Sequence, residues 1–258
     1  AESGRAGWPA YDDRMRLPSP ARVLKWAAIG LGLTQAVTIA ALVLVDSVRK
    51  RGRHATRFPS SPPRDLTIDN GTVTIYTKGR DLYDAMLASI ESAQQRIYLE
   101  TYIWKDDRVG QKFKEALIAA AQRGVEVHIA FDVFGNLVVG PKFFRFPPTL
   151  HVLRHYPWSG LRGPIVKRSP GLNHRKMLIV DEAVAYIGGY NIGSLYASHW
   201  RDTHARLTGA PVADLVNAFV DYWNQNRPRR QKGLDSPTDR AWESPVRVTR
   251  NVPSVGVY

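Results

Sequence analysis

Asn173-His174-Arg175-Lys176-Met177-Leu178-Ile179-Val180-Asp181 is followed, after six intervening residues, by Gly188-Gly189-Tyr190-Asn191. The spacing is His-x-Lys, four residues, Asp, six residues, Gly-Gly-x-Asn. An imidazole and an ammonium two apart on an extended segment fall on one face of a sheet. Met177 to Val180 and Val184 to Ile187 read as two short strands bracketing Asp181 and Glu182. The carboxamide of Asn191 follows a glycine turn, close enough in sequence to return to the same place. Nucleophile, cation and amide donor are what a tetrahedral or pentacoordinate phosphate needs around it.

Outward from that stretch the pattern alternates between strand and helix. Val73 to Thr77 is strand-like. Asp81 can cap a helix whose stripe is Leu82, Met86, Leu87 and Ile90. Arg96 to Trp104 reads as a strand. Phe113, Ala116, Leu117, Ala120 and Ala121 mark a second helix stopped by Gly124, and Val125 to Phe131 a further strand. Pro211 opens a last helix with Val212, Leu215, Val216, Phe219, Val220 and Trp223 on one face. This rhythm predicts an α/β layered domain with a mixed sheet flanked by helices. Gly135 to Leu172 reads as a long loop mixing aromatics and bases: Phe143, Phe144, Arg145, Phe146, Trp158, Arg162, Lys167 and Arg168. Such a loop suits a membrane interface or base stacking equally, and ordinary packing of a long loop is the leading reading.

The absence of cysteine excludes disulfides, thiolate zinc sites and a cysteine nucleophile. The net charge of +13 points to an anionic partner, acidic lipid or nucleic acid. Trp26 to Val45, 20 residues without a charge, would span about 30 Å as a helix, the thickness of a hydrocarbon core. A cleaved signal should be followed by an Ala-x-Ala site, which Asp46-Ser47-Val48-Arg49 does not offer. A retained anchor is therefore expected. Arg49, Lys50, Arg51, Arg53 and Arg57 outnumber Arg14, Arg16, Arg22 and Lys25 on the other flank, which puts the catalytic part on the cytoplasmic side of a single-pass membrane protein. The organisation expected is a disordered tail at 1–22, a transmembrane helix at 23–46, a basic and Pro-rich linker at 47–65, a catalytic half-domain at 66–230, and at 231–258 a linker and the start of a second half-domain.

Five elements in order resemble a known family: Tyr98-Leu99-Glu100-Thr101-Tyr102-Ile103-Trp104, Asn173 to Lys176, Asp181, Ile187 to Gly193, and Trp200-Arg201-Asp202-Thr203-His204. The pattern resembles the phospholipase D superfamily and, within it, the bacterial cardiolipin synthase branch. The resemblance implies a phospholipase D-like fold and a membrane-anchored phosphatidyltransferase acting through a phosphohistidine. Hydrolysis to phosphatidic acid is the alternative; a metal-independent nuclease and an inactive lipid-binding module are more distant ones. It implies His174 as nucleophile, Lys176 and Asn191 on the non-bridging oxygens, and Asp202 as the carboxylate that fixes the imidazole; Asp181, counted with the catalytic set, is expected to anchor the strand end through hydrogen bonds rather than to touch substrate. Gly189 stands where some members carry a serine; the backbone amides of Gly188 and Gly189 are expected to bind substrate in its place.

The expected partners are a phosphatidylglycerol-like phospholipid and the membrane, with no nucleic acid, no cofactor and no metal. His128, His151, His155, His199 and His204 read as structural or surface residues. The family works with two His-x-Lys motifs, and the seven histidines supply one. Val246 to Asn251 repeats the alternation of Val73 to Lys78. The second motif is thus expected beyond Tyr258 in the same chain, or from a homodimer partner.

Overall fold

The computed structural model describes residues 19–50, 60–68, 70–157 and 171–235. The expected tail, much of the expected linker, Trp158, Arg162, Lys167, Arg168 and Val246 to Asn251 lie outside the described residues. The chain separates into two units, Ala1–Arg57 and Phe58–Tyr258.

The first unit holds helix α1, Pro20–Lys50. Its segment Pro20–Val45, 26 residues, is long and apolar enough to cross a membrane. At 1.5 Å per residue that segment runs about 39 Å, longer than a hydrocarbon core of about 30 Å. Thr34 Oγ1 donates to Gly30 O and Thr38 Oγ1 to Thr34 O, each at 2.8 Å. Both hydroxyls are therefore satisfied inside the helix, as a hydrocarbon surrounding requires.

The second unit is built on a mixed eight-stranded sheet. Its strands are β1 (Asp65–Ile68), β2 (Gly71–Tyr76), β3 (Arg96–Thr101), β4 (Glu126–Asp132), β5 (His151–His155), β6 (Met177–Val180), β7 (Val184–Gly188) and β8 (His204–Gly209), in spatial order β1-β2-β8-β7-β6-β3-β4-β5. β3, β4 and β5 run parallel, and every other pairing is antiparallel. β3 is the pivot, parallel to β4 on one side and antiparallel to β6 on the other. Ile97, Tyr98 and Leu99 are all buried, because a central strand is covered on both faces and loses its alternation.

Helices α2 (Gly79–Ser92) and α3 (Arg108–Gln122) cover one face. Leu82, Met86, Ile90, Phe113 and Leu117 meet Ile97, Leu99 and Ile129 there. Helix α5 (Pro211–Asn226) covers the other, with Leu215, Phe219 and Trp223 on Tyr98, Ala130, Leu153 and Ile179. Tyr98 and Phe219 stack at 4.6 Å between ring centroids. The short helix α4 (Ser194–Ser198) follows β7.

Several local expectations are corrected. Lys78, not Asp81, is the N-cap of α2; Asp81 sits in the first turn. β3 stops at Thr101, and Trp104 turns away to pair with Ile192 as an isolated bridge. The stretch expected as one loop from Gly135 contains β5, an edge strand paired with β4. β8 was not foreseen; Leu207 is the large apolar residue it turns towards α5.

The topology brings one set of loops to one end of the sheet. β3, β4 and β7 finish there, and β6 and β8 begin there. The segments after β3, after β4, before β6, after β7 and before β8 thus surround the same spot.

Candidate active site

His174 and Lys176 lie on the extended run that leads into β6, just ahead of its first residue Met177. Alternation along that run sends their side chains one way, and those of Asn173 and Arg175 the other. The Tyr102 ring, just past β3, packs against both front residues. It lies 4.5 Å from the His174 ring and 5.1 Å from Lys176 Nζ. Lys176 Nζ also donates to the His174 carbonyl at 2.5 Å.

Electrostatics prepares the pair for opposite roles. Partial desolvation and the neighbouring Lys176 charge hold the His174 imidazole below its ordinary value, against Asp132 and Asp202, which raise it. The ring is therefore neutral, with a free lone pair, at neutral pH. Burial lowers Lys176 to about 8, and Asp202 opposes that shift. Lys176 remains a cation at neutral pH, with little margin above it.

Asp202 stands at the entry to β8. Its Oδ1 accepts the Thr203 amide at 2.9 Å, and its Oδ2 accepts Trp200 Nε1 at 3.4 Å. The glycine pair makes room for it. A Cβ on Gly189 would lie 1.9 Å from Asp202 Oδ1, and one on Gly188 would lie 2.4 Å from Thr203 O. The amides of these glycines, expected on substrate, are used inside the sheet: Gly188 N donates to Lys176 O at 3.3 Å and Gly189 N to Thr203 O at 3.0 Å. What the pair contributes in this geometry is close approach rather than free donors.

Asn191 is buried beside β3's exit. Its Oδ1 accepts the Ile103 amide at 3.0 Å, and the Tyr83 hydroxyl donates to its carbonyl. With the carboxamide oxygen engaged and the side chain also hydrogen-bonded to Tyr196, the remaining Nδ2 proton is what it has to offer. Asp181 lies elsewhere, at the far end of β6. Its carboxylate accepts the amides of Gln94, Gln95 and Arg96 at 2.8, 2.8 and 2.9 Å. It ties the β6–β7 hairpin to the start of β3.

The structure adds residues to which sequence reasoning gave no role. Asp132, fully buried at the end of β4, accepts the Asn173 amide at 2.8 Å and the Gly135 amide at 2.9 Å. Glu100, fully buried on β3, meets Arg175. His204, read as structural, is buried with both ring nitrogens without hydrogen-bond partners among the described residues. Burial and the Lys176 charge push it down to about 3, so it is a neutral neighbour of that cation. The sequence did carry a signal for Glu100 and Asp132: acids inside or ending an apolar strand are expensive unless a partner waits for them.

Among the described residues one group has metal-ligating chemistry, Glu126, His128 and His151, with ligand atoms within 4.8 Å of one another. It lies near the starts of β4 and β5, at the other end of the sheet from His174. The two rings stack at 4.5 Å and 19°, so their lone pairs lie in nearly parallel planes rather than converging, and the Arg96 charge acts on His128.

Comparison with known proteins matches this framework. The model of the family "Cardiolipin synthase, PLD-like domain" matches residues 86–223, which carry His174, Lys176, Asn191 and Asp202. The chain belongs to this family. It is 39% identical over 168 residues to the major cardiolipin synthase ClsA of Bacillus subtilis (strain 168), covering 62% of this chain and 34% of that one. It is 35% identical over 167 residues to the cardiolipin synthase of Listeria monocytogenes serotype 4a (strain HCC23), again over 62% and 34%. The chain spans about a third of the length of these curated relatives. Among solved structures, NucT from Helicobacter pylori is similar at a TM-score of 0.49 and 15% identity, over 60% of this chain and 95% of that one. Membership of the cardiolipin synthase PLD-like family accounts for the α/β sheet with helices on both faces and for the order of its motifs.

Proposed function

We propose that this chain carries a phosphatidyl-transfer half-site, and that the reaction is the joining of two phosphatidylglycerol-like lipids into cardiolipin with release of glycerol. The observation that carries the reading is a neutral imidazole and a cationic ammonium side by side against one tyrosine ring, at the sheet end where Asn191 and Asp202 also lie. One ring nitrogen of His174 attacks phosphorus, and the P–O bond to the first glycerol breaks as that oxygen takes up a proton. A hydroxyl of the second lipid then attacks the phosphohistidine, loses its proton, and restores the imidazole. Lys176 neutralises the non-bridging oxygens as a point charge, and Asn191 offers its remaining Nδ2 proton to them. Asp202 supports the positive charge that both residues carry during the cycle. Asp181 acts on structure alone, by holding the β6–β7 hairpin.

Proton transfer at the leaving oxygen needs a second group across the phosphate. That group comes from a second His-x-Lys half, beyond residue 258 or in a second copy of the chain. The helix α1 holds the protein in the membrane, the half-domain 66–230 lies on its cytoplasmic side, and the basic run after α1 faces anionic head groups. The test is incubation of membranes containing the protein with labelled phosphatidylglycerol. Cardiolipin and glycerol should appear, and His174→Ala should abolish both. Phosphatidic acid alone would make the enzyme a hydrolase. No product, with no difference from His174→Ala, would overturn the reading.

A further inference from the structure

His174 is exposed, and among the described residues its ring has the Tyr102 ring as its close neighbour. Its position is therefore set by its backbone, and the backbone is held from behind by the residues on either side of it. Ahead of it, the Asn173 amide is pinned to buried Asp132 at 2.8 Å. After it, the Arg175 guanidinium makes attachments to two separate elements. Nε donates to Glu100 Oε1 at 2.9 Å, and Nη2 lies 2.9 Å from the same oxygen, on β3. Nη1 donates to the Ala218 carbonyl at 3.2 Å, and the guanidinium lies over the Tyr222 ring at 4.6 Å, both on α5.

We propose that Arg175, clamped by buried Glu100 and by α5, is the positioning residue that presents His174 and Lys176 to the phosphate. The inference rests on the phosphatidyl-transfer reading for its kinetic consequence, but not for its geometric one. Glu100 lies two residues before Tyr102 on the same strand exit, so one anchor serves both the run that carries the nucleophile and the ring that packs on it. A guanidinium suits this place because a planar fork can hold a carboxylate, a carbonyl and an aromatic face together, while an ammonium is a point charge. Its charge is also permanent, so any pH dependence of the clamp comes from Glu100, whose carboxyl is pushed above its ordinary value by burial. A buried carboxylate with no cation would be unacceptable, which ties the choice of residue 175 to Glu100.

The test compares three proteins in the membrane-bound enzyme: wild type, Arg175→Lys, and the charge-free pair Glu100→Gln with Arg175→Met. The double variant removes the buried carboxylate and its partly exposed partner cation together, so it avoids the folding defect of either single change. Arg175→Lys keeps a cation beside Glu100 in case the double variant does not fold. Misplacement by about 1 Å costs about 100-fold. The double variant should therefore lose about 100-fold in kcat with KM within about twofold, and Arg175→Lys about tenfold. Wild-type kcat in a folded double variant, or in Arg175→Lys, would overturn the proposal.

A second readout needs no turnover. The His174 ring resonance, assigned by its loss in His174→Ala, is titrated by NMR. Lys176, Asp132 and Asp202 are the charged groups that act on this ring. In the wild type it should titrate below about 6.5, the ordinary imidazole value, and return towards that value in the double variant. An identical titration in both would sink the clamp. An inactive wild type whose ring titration does move would instead sink the phosphatidyl-transfer reading and leave the clamp standing.

Discussion

Gly189→Ala is the perturbation whose consequence can be worked most directly from the structure. The added Cβ would sit 1.9 Å from Asp202 Oδ1, 2.3 Å from Cγ and 2.4 Å from Oδ2, where ordinary contact begins at 3.4 Å. The carboxylate must therefore retreat by about 1.5 Å, the difference between 3.4 and 1.9 Å. An aspartate has a single methylene to do this with, and its Oδ1 would be drawn off the Thr203 amide. A shift of about 1 Å in a catalytic group costs about 100-fold, so kcat/KM should fall by about 10- to 100-fold, about 1.4–2.7 kcal/mol of barrier.

The pH profile should move as well. Asp202 raises the pKa of both His174 and Lys176, so its retreat lets both fall, and the active window shifts to lower pH. The assay is cardiolipin formation from labelled phosphatidylglycerol across a pH series, with circular dichroism to verify folding. A folded Gly189→Ala protein with wild-type kcat/KM and an unmoved profile would refute this reading of Asp202. Gly189→Ser should behave at least as badly, because Asp202 occupies the space the side chain would need.

Other outcomes follow from the same geometry. In the wild type, kcat/KM should rise with pH as His174 loses its proton, below the ordinary imidazole range, and fall through about pH 8 as Lys176 loses its own; a flat profile between pH 7 and 9 would contradict the role of Lys176. Asp181→Ala should cost about 1–3 kcal/mol in unfolding free energy, because three backbone amides lose their acceptor, while kcat/KM stays within about twofold. A large kinetic loss at unchanged stability would restore Asp181 to the catalytic set. The amides also hold the Asp181 carboxyl below its ordinary value, so its stabilising contribution is present above about pH 4 and lost as pH falls through the lowered value. Gly188→Ala presses on the backbone of Thr203 and His204 rather than on a movable side chain, and should cost about 1–3 kcal/mol, read as a lower melting temperature.

Most of the framework was legible because it is written in local patterns. β3, β4 and β6 are continuous buried runs, the stripes of α2, α3 and α5 follow the helical period, and the Gly-Gly pair marks where β7 ends. β5 and β8 were missed for a physical reason. His151 to His155 and His204 to Gly209 carry polar side chains on half or more of their positions and depend on neighbours for their pairing. The spacing brought His174, Lys176, Asn191 and Asp202 to one end of the sheet, but it could not assign their hydrogen bonds. The amides of Gly188 and Gly189 looked free in sequence and are committed to the sheet. Glu100, Tyr102 and Asp132 could not be placed in the site from sequence, because their partners lie 41 to 75 positions away and only the topology of β3, β4 and β6 joins them.

The most direct test of the central claim is to trap the covalent intermediate. Enzyme mixed with phosphate-labelled phosphatidylglycerol is quenched in alkali, which preserves phosphohistidine, and digested for peptide mapping. Base-stable, acid-labile label is expected on the peptide containing His174, and none in His174→Asn. Turnover with label on another residue, or with no label on the peptide containing His174, would contradict it.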